Sequence, residues 1–124
     1  MPVILVALGG AAGATTRYLV DGFIAERSPG PFPLSTLVIN LSGSFVLGLL
    51  FALATERNVL PADIRGPVMI GFLGAYTTFS TFMLESWRLA EDGAAGLALL
   101  NVAGSCVLGL IAVAAGLFIG RTIA

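Results

Sequence analysis

Four long apolar runs divide this chain, and the polar residues between them fall into tight clusters. The runs cover roughly Val3–Ile24, Leu34–Ala54, Pro67–Leu89 and Ala95–Thr122. Each is long enough to cross a hydrocarbon core as a helix, which takes about 20 residues. The clusters are "ERSPGPFP" (Glu26–Pro33), "TERNVLPADIRG" (Thr55–Gly66) and "AEDGAAG" (Ala90–Gly96). They combine proline, glycine and charge, so they read as short loops joining consecutive antiparallel helices. The pattern predicts an all-α membrane protein of four transmembrane helices, organised as a single domain over residues 1–124.

Composition agrees with this pattern. Of the 124 residues 57% are hydrophobic and 10% charged, and the mean hydropathy is +1.00, whereas a soluble domain carries about a quarter of its residues as charges. A net charge of −1 with six scattered arginines argues against a nucleic-acid partner. With no histidine and a single cysteine, Cys106, neither a transition-metal centre nor an internal disulfide is expected. The first run begins at Val3 without a basic segment before it and three more follow, so it reads as a retained span. Orientation should follow the arginines in the short loops. The side with the N-terminus and second loop holds Arg57, Arg65 and Arg121, and the other holds Arg27 and Arg88. So small a bias fits two readings: one topology fixed by other factors, or insertion both ways with inverted copies pairing about a twofold axis in the membrane plane.

The chain also echoes itself. At an offset of 61, "NLSGSFVLGLL" (Asn40–Leu50) falls on "NVAGSCVLGLI" (Asn101–Ile111), and Gly10, Gly13, Ala14 and Thr16 fall on Gly71, Gly74, Ala75 and Thr77. The first two spans and the last two read either as copies of one hairpin or as coincidence in a chain rich in Gly, Ala, Leu and Val. Copies two helices apart run parallel, so a duplication of this kind supplies no inverted symmetry.

Candidate chemistry concentrates in the third span. Five of the six positions from Tyr76 to Thr81 carry hydroxyls, with only Phe79 interrupting. On a continuous helix Thr77, Thr81, Glu85 and Arg88 would form one stripe, with Phe79 and Phe82 on a neighbouring face. One or two hydroxyls would satisfy themselves on carbonyls a turn back; five together point to a polar path lined by donors and aromatic rings. Gly71 and Gly74 precede the run, either to admit close helix packing or to let the helix break and expose carbonyls that hold a cation. Asn40 with Ser44, and Asn101 with Ser105, share equivalent faces of the second and fourth spans. Each amide is either interhelical glue or a donor for an anion. Arg17 and Asp21, four apart late in the first span, can pair locally, and Arg17 can also draw anions to an entrance; Glu85 and Arg88 offer a similar near-interface pair. The Gly9/Gly13 and Gly116/Gly120 pairs permit close helix contact. "GGAAGATTR" lacks the lysine of a phosphate-binding loop, and no acid–base pair stands out, so an enzyme is not expected.

Three stretches carry a family resemblance. "GGAAGATTRY" in the first span, "STLVINLSGSFVLG" in the second and "GFLGAYTTFSTF" in the third resemble the Fluc (CrcB-type) fluoride channels, over essentially the whole chain. The resemblance implies an antiparallel dual-topology homodimer with two fluoride pathways and a structural sodium ion at a break in the third helix. By motif, the main-chain carbonyls of Gly74 and Thr77 would hold Na+. Phe79 and Phe82 match the pore phenylalanines and Asn40 the pore asparagine. Ser80, Thr81 and Glu85 match the polar track, Asn101 and Ser105 fall on track positions of the fourth helix, and Arg17 matches an arginine near the aqueous entrance. The implied activity is passive exit of F− from the cytoplasm, relieving fluoride toxicity, across the plasma membrane of a prokaryote; the partners are fluoride, an inverted second copy and the bilayer. The physics is coherent, because a small, strongly hydrated anion needs closely spaced donors in place of water, and phenyl edges carry positive charge. Two rivals remain: one subunit of an obligate heterodimeric fluoride channel, and a small dual-topology proton-coupled multidrug exporter. The exporter needs a carboxylate deep in the membrane, and the first span offers only Asp21. A non-transporting scaffold subunit, with the polar stripe as glue, is a third class.

Overall fold

Pro2 opens a helix that runs to Arg27, α1, and the "SPGPFP" stretch that follows has two features that stop it, prolines without a donor and a glycine. The computed structural model describes residues 2–123 and is helix and loop throughout, with no strand among the described residues. α2 covers Leu34–Leu50 and continues as a π-helical stretch through Phe51–Glu56. The third span starts with a 3-10 turn at Ala62–Ile64 and a π-helical stretch at Arg65–Phe72. It tightens into α3 (Leu73–Tyr76), breaks, and resumes as α4 (Ser80–Glu91). α5 runs unbroken from Ala95 to Ile123. Four helices, Pro2–Arg27, Leu34–Glu56, Ala62–Glu91 and Ala95–Ile123, are long and apolar enough to cross a membrane, as the apolar runs predict.

The turns have local causes. After α4, Gly93 takes φ +84° while Ala94 N–H bonds the Leu89 carbonyl and Gly93 N–H that of Ala90, the paired bonds of a glycine-terminated helix. Asn58 ends the second span at φ 55°, one of the few non-glycine side chains that tolerate the left-handed region. Pro67 has no N–H to contribute to the ladder, and the π-helical register around it is the wider repeat that often marks such irregularities.

Packing is backbone against backbone. A Cβ at Gly9 would collide with the Pro67 carbonyl, and one at Gly13 with the Phe72 carbonyl, so α1 lies flush on the first half of the third span. Gly48 and Gly116 play the same part between α2 and α5, against Val113 and Phe45 respectively. Lipid tails are as apolar as leucine, so such contact and the dispersion it allows hold membrane helices together. The two glycine pairs read from sequence thus lie on seams inside this chain. Side-chain burial is sparse: Ile39, Leu73 and Tyr76 form a small core with Val20, Val46, Leu50 and Phe72 around it. At one end, Arg121 grips Glu56 with Nε to Oε1 at 2.8 Å and Nη2 to Oε2 at 2.9 Å. Arg57 Nη2 donates to the Arg121 carbonyl at 2.9 Å, joining the ends of the second and fourth spans.

Candidate functional site

The break in the third span is the least regular backbone at membrane depth, and side chains account for its bonds. Thr77 leaves the helix with φ −84° and ψ 163°, so Thr78 cannot find its usual carbonyl one turn back. Asn40 on α2 takes its place: Thr78 N–H donates to Asn40 Oδ1 at 2.9 Å, and Asn40 Nδ2 donates to the Thr78 carbonyl at 2.9 Å. One amide therefore satisfies both peptide groups of one residue, and the second Nδ2 hydrogen is left for another acceptor. Thr78 in turn caps α4, its Oγ1 accepting from Thr81 N–H at 3.2 Å.

These bonds have a consequence for Gly74 and Thr77. In an unbroken helix their carbonyls would accept from Thr78 and Thr81 N–H, and both donors are committed elsewhere. The two oxygens lie where the dipole of the helical segment ending at Tyr76 is negative. A Cβ at Gly74 would meet nothing within 4 Å, so this backbone faces open space. Paired main-chain carbonyls are hard oxygen donors suited to a small cation, and in this respect the residues fit sodium. Among the described residues there is no cluster of His, Cys, Asp and Glu able to hold a metal ion.

A cavity of about 450 Å³ lies over the break, walled by Asn40, Ser44, Gly74, Thr77, Phe79 and Phe82 among others. The Phe79 and Phe82 rings meet edge to face, centroids 6.3 Å apart at 77°. Phe82 is buried, whereas Phe79 is 72% exposed, so one ring of the pair is open on the surface of the single chain. Ser42 and Tyr76 share a hydrogen bond of 2.9 Å, fixing α3 to α2.

The remaining predicted residues lie apart from it. Arg17 Nη2 donates to Thr81 Oγ1 at 2.8 Å, tying α1 to the first turn of α4. The local Arg17–Asp21 pair does not form: Asp21 Oδ1 accepts instead from Ser35 at 2.5 Å. Nor is Glu85 paired with Arg88 among the described ion pairs. Both line a second cavity, of about 550 Å³, with Asp21, Ser35 and Asp92, and Glu85 Oε1 is buried without a hydrogen-bond partner. Ser80, exposed, opens α4. The four-residue stripe of the third span is shorter than a continuous helix would give, because Thr77 lies across the break with its Oγ1 on the Leu73 carbonyl at 2.9 Å. Asn101 is 1% exposed, its Nδ2 donating to Ser86 Oγ at 2.8 Å, and Ser105 Oγ donates to Asn101 Oδ1 at 3.3 Å; neither lines the cavity over the break. The sequence pattern counts Thr78 only as one hydroxyl among five and gives Ser86 no mark; the importance of both lies in partners on other spans.

Residues 4–117 match the family described as "CrcB-like protein, Camphor Resistance (CrcB)". The chain belongs to this family. It is 46% identical over 123 residues to a "Fluoride-specific ion channel FluC" of Magnetococcus marinus, covering 99% of this chain and 100% of that protein. It is 48% identical over 119 residues to "Fluoride-specific ion channel FluC 2" of Mycolicibacterium paratuberculosis, covering 96% and 90%. A third relative, "Fluoride-specific ion channel FluC" of Methylococcus capsulatus, is 46% identical over 124 residues; the alignment takes in 100% of this chain and 54% of that one, so this chain spans about half of it.

Proposed function

We propose that this chain is the subunit of a passive fluoride channel that lets F− leave a prokaryotic cytoplasm down its gradient, working as two inverted copies in the plasma membrane. The observation that carries the reading is the break at Thr77–Phe79 beneath a cavity walled by Asn40, Phe79 and Phe82, in a chain akin throughout to relatives named as fluoride-specific ion channels. Broken backbone is stable at membrane depth only where it lines a cavity or is buried in protein. The free Nδ2 hydrogen of Asn40, the hydroxyls of Ser80 and Thr81 and the edges of Phe79 and Phe82 are the donors of the pathway. Arg17 and Glu85 lie along it, and Asn101 and Ser105, bonded to each other on α5, act on it without contacting the ion. Chloride is larger and gains less from closely spaced donors, so selectivity follows from the same geometry. No bond is made or broken, so the protein is not an enzyme.

A second, inverted copy would cover Phe79 and the open face at Gly74. Sodium between the copies, held by the freed carbonyls of Gly74 and Thr77 from each, would neutralise the negative helix ends that face each other there. Its role is to join the subunits; the residues of the chain conduct the anion.

The test is efflux from liposomes holding only this purified chain, with fluoride and chloride electrodes read in parallel after valinomycin. Rapid fluoride release with chloride retained is the expected result. Folded protein that releases neither ion, alone or with a paralogous chain, overturns the reading.

A further inference from the structure

A line of hydrogen bonds crosses from α5 to α4 and ends on the backbone of a residue that walls the cavity. Ser105 Oγ donates to Asn101 Oδ1 at 3.3 Å, Asn101 Nδ2 to Ser86 Oγ at 2.8 Å, and Ser86 Oγ to the Phe82 carbonyl at 2.8 Å. All three donors point the same way, an arrangement in which each bond polarises the next. Asn101, Ser86 and Phe82 are buried at 1%, 6% and 7% exposure, so water cannot stand in for a lost partner within this chain.

We infer that Ser86 is a positioning residue for the fluoride pathway: with Asn101 it fixes the carbonyl of Phe82, and through it the ring, relative to α5. The inference rests on the proposed function above. It gives Asn101 a role exerted through Ser86 and Phe82. Within α4 the Ser86 hydroxyl is an ordinary bond to the carbonyl four residues back, which alone contributes little and slightly loosens the helix. Accepting from Asn101 changes its effect, because the hydroxyl then connects two helices at the second turn of α4. That turn needs an anchor. Residues 77–79, just before α4, lie outside either helix, and the tie from α1 through Arg17 reaches only Thr81. Phe82 must hold one orientation against Phe79, which is itself exposed, for their edges to present a fixed surface to an anion. Asn101 and Ser86 provide this without lining the cavity themselves, so no permeating ion is required to touch them.

Three variants of the full chain separate positioning from ion contact and from general destabilisation. Ser86→Ala and Asn101→Ala are each expected to slow fluoride efflux from liposomes about three- to tenfold, the factor carried by one interhelical hydrogen bond in a membrane protein. The double variant should be no slower than the slower single one, since both remove the same link. Ser86→Thr keeps the hydroxyl and should restore most of the flux, which a volume or packing defect would not allow. Helical content and elution of the detergent-solubilised protein are measured alongside, and rates are compared per folded protein. Unaltered flux in folded Ser86→Ala, losses that multiply in the double variant, or a Ser86→Thr as slow as Ser86→Ala would each overturn the positioning role while leaving the channel reading intact. An unsubstituted chain that moves no fluoride would overturn both.

Discussion

Asn40 shows how much one side chain decides here. Its carbonyl oxygen and one amide hydrogen are both engaged by Thr78, so the orientation of the amide is fixed by the backbone it serves, and the other hydrogen points where it must. Asn40→Asp preserves shape but sets a carboxylate oxygen against the Thr78 carbonyl, two acceptors facing each other. Fluoride flux should fall at least tenfold, and the solubilised protein should lose roughly 1–3 kcal/mol of stability, the cost of an unsatisfied buried polar group. Full efflux from Asn40→Asp liposomes, with an unchanged melting temperature, would remove the clamp from the account. The rings are a separate matter. Phe79→Ile with Phe82→Ile removes two positive edges but little volume, so flux should vanish while elution and helical content stay as they are; undiminished release would sink the pore assignment. The sequence marked Asn40, Phe79 and Phe82 plainly. Thr78 was one hydroxyl among five, and only the partner 38 positions away distinguishes it.

Between elements, the seams are made of glycine. α1 touches the third span at Gly9 and Gly13 with no side chain between the backbones, and a carbonyl cannot step aside as the tip of a flexible side chain can. Gly13→Ala should therefore destabilise by about 1–3 kcal/mol, typical of overpacking. Gly22→Ala and Gly96→Ala, whose added methyls would meet nothing within 4 Å, should be neutral or slightly stabilising, since Ala is the better helix former by up to about 1 kcal/mol. Thermal unfolding in one detergent compares all three, and an equal effect at all three sites would contradict the close seam. The helices themselves were legible from the apolar runs to within a few residues, because proline, glycine and charge interrupt each run. The break was half legible. Gly74 and the hydroxyls marked its neighbourhood, but its position depends on Asn40 from another span. The bonds that lock the elements together span even longer intervals, Arg17 to Thr81 and Glu56 to Arg121. No local pattern shows which arginine meets which partner, and the Arg17–Asp21 pair that spacing favours lost to Ser35 and Thr81.

At the scale of the whole molecule, the weak arginine bias and the exposed ring of Phe79 bear on the same question. Arg57, Arg65 and Arg121 lie at one end and Arg27 and Arg88 at the other, so a few charges should decide which way every copy inserts. Glu26→Arg with Glu91→Arg loads one end, and Val59→Arg with Asp63→Arg loads the other; all four positions are exposed. If the channel requires two inverted copies, each loaded variant expressed alone should populate one orientation and give cells little protection against fluoride. The two expressed together should restore it, because opposite orientations are again present in one membrane. Accessibility of a cysteine placed in a loop at either end, in a Cys106→Ala background, reports orientation independently of flux. Activity from a variant shown to be fully oriented one way would mean that parallel copies, or one copy alone, suffice. In that case Phe79 must be covered by lipid or by another part of the assembly, and the freed carbonyls of Gly74 and Thr77 would have no inverted counterpart with which to share a cation.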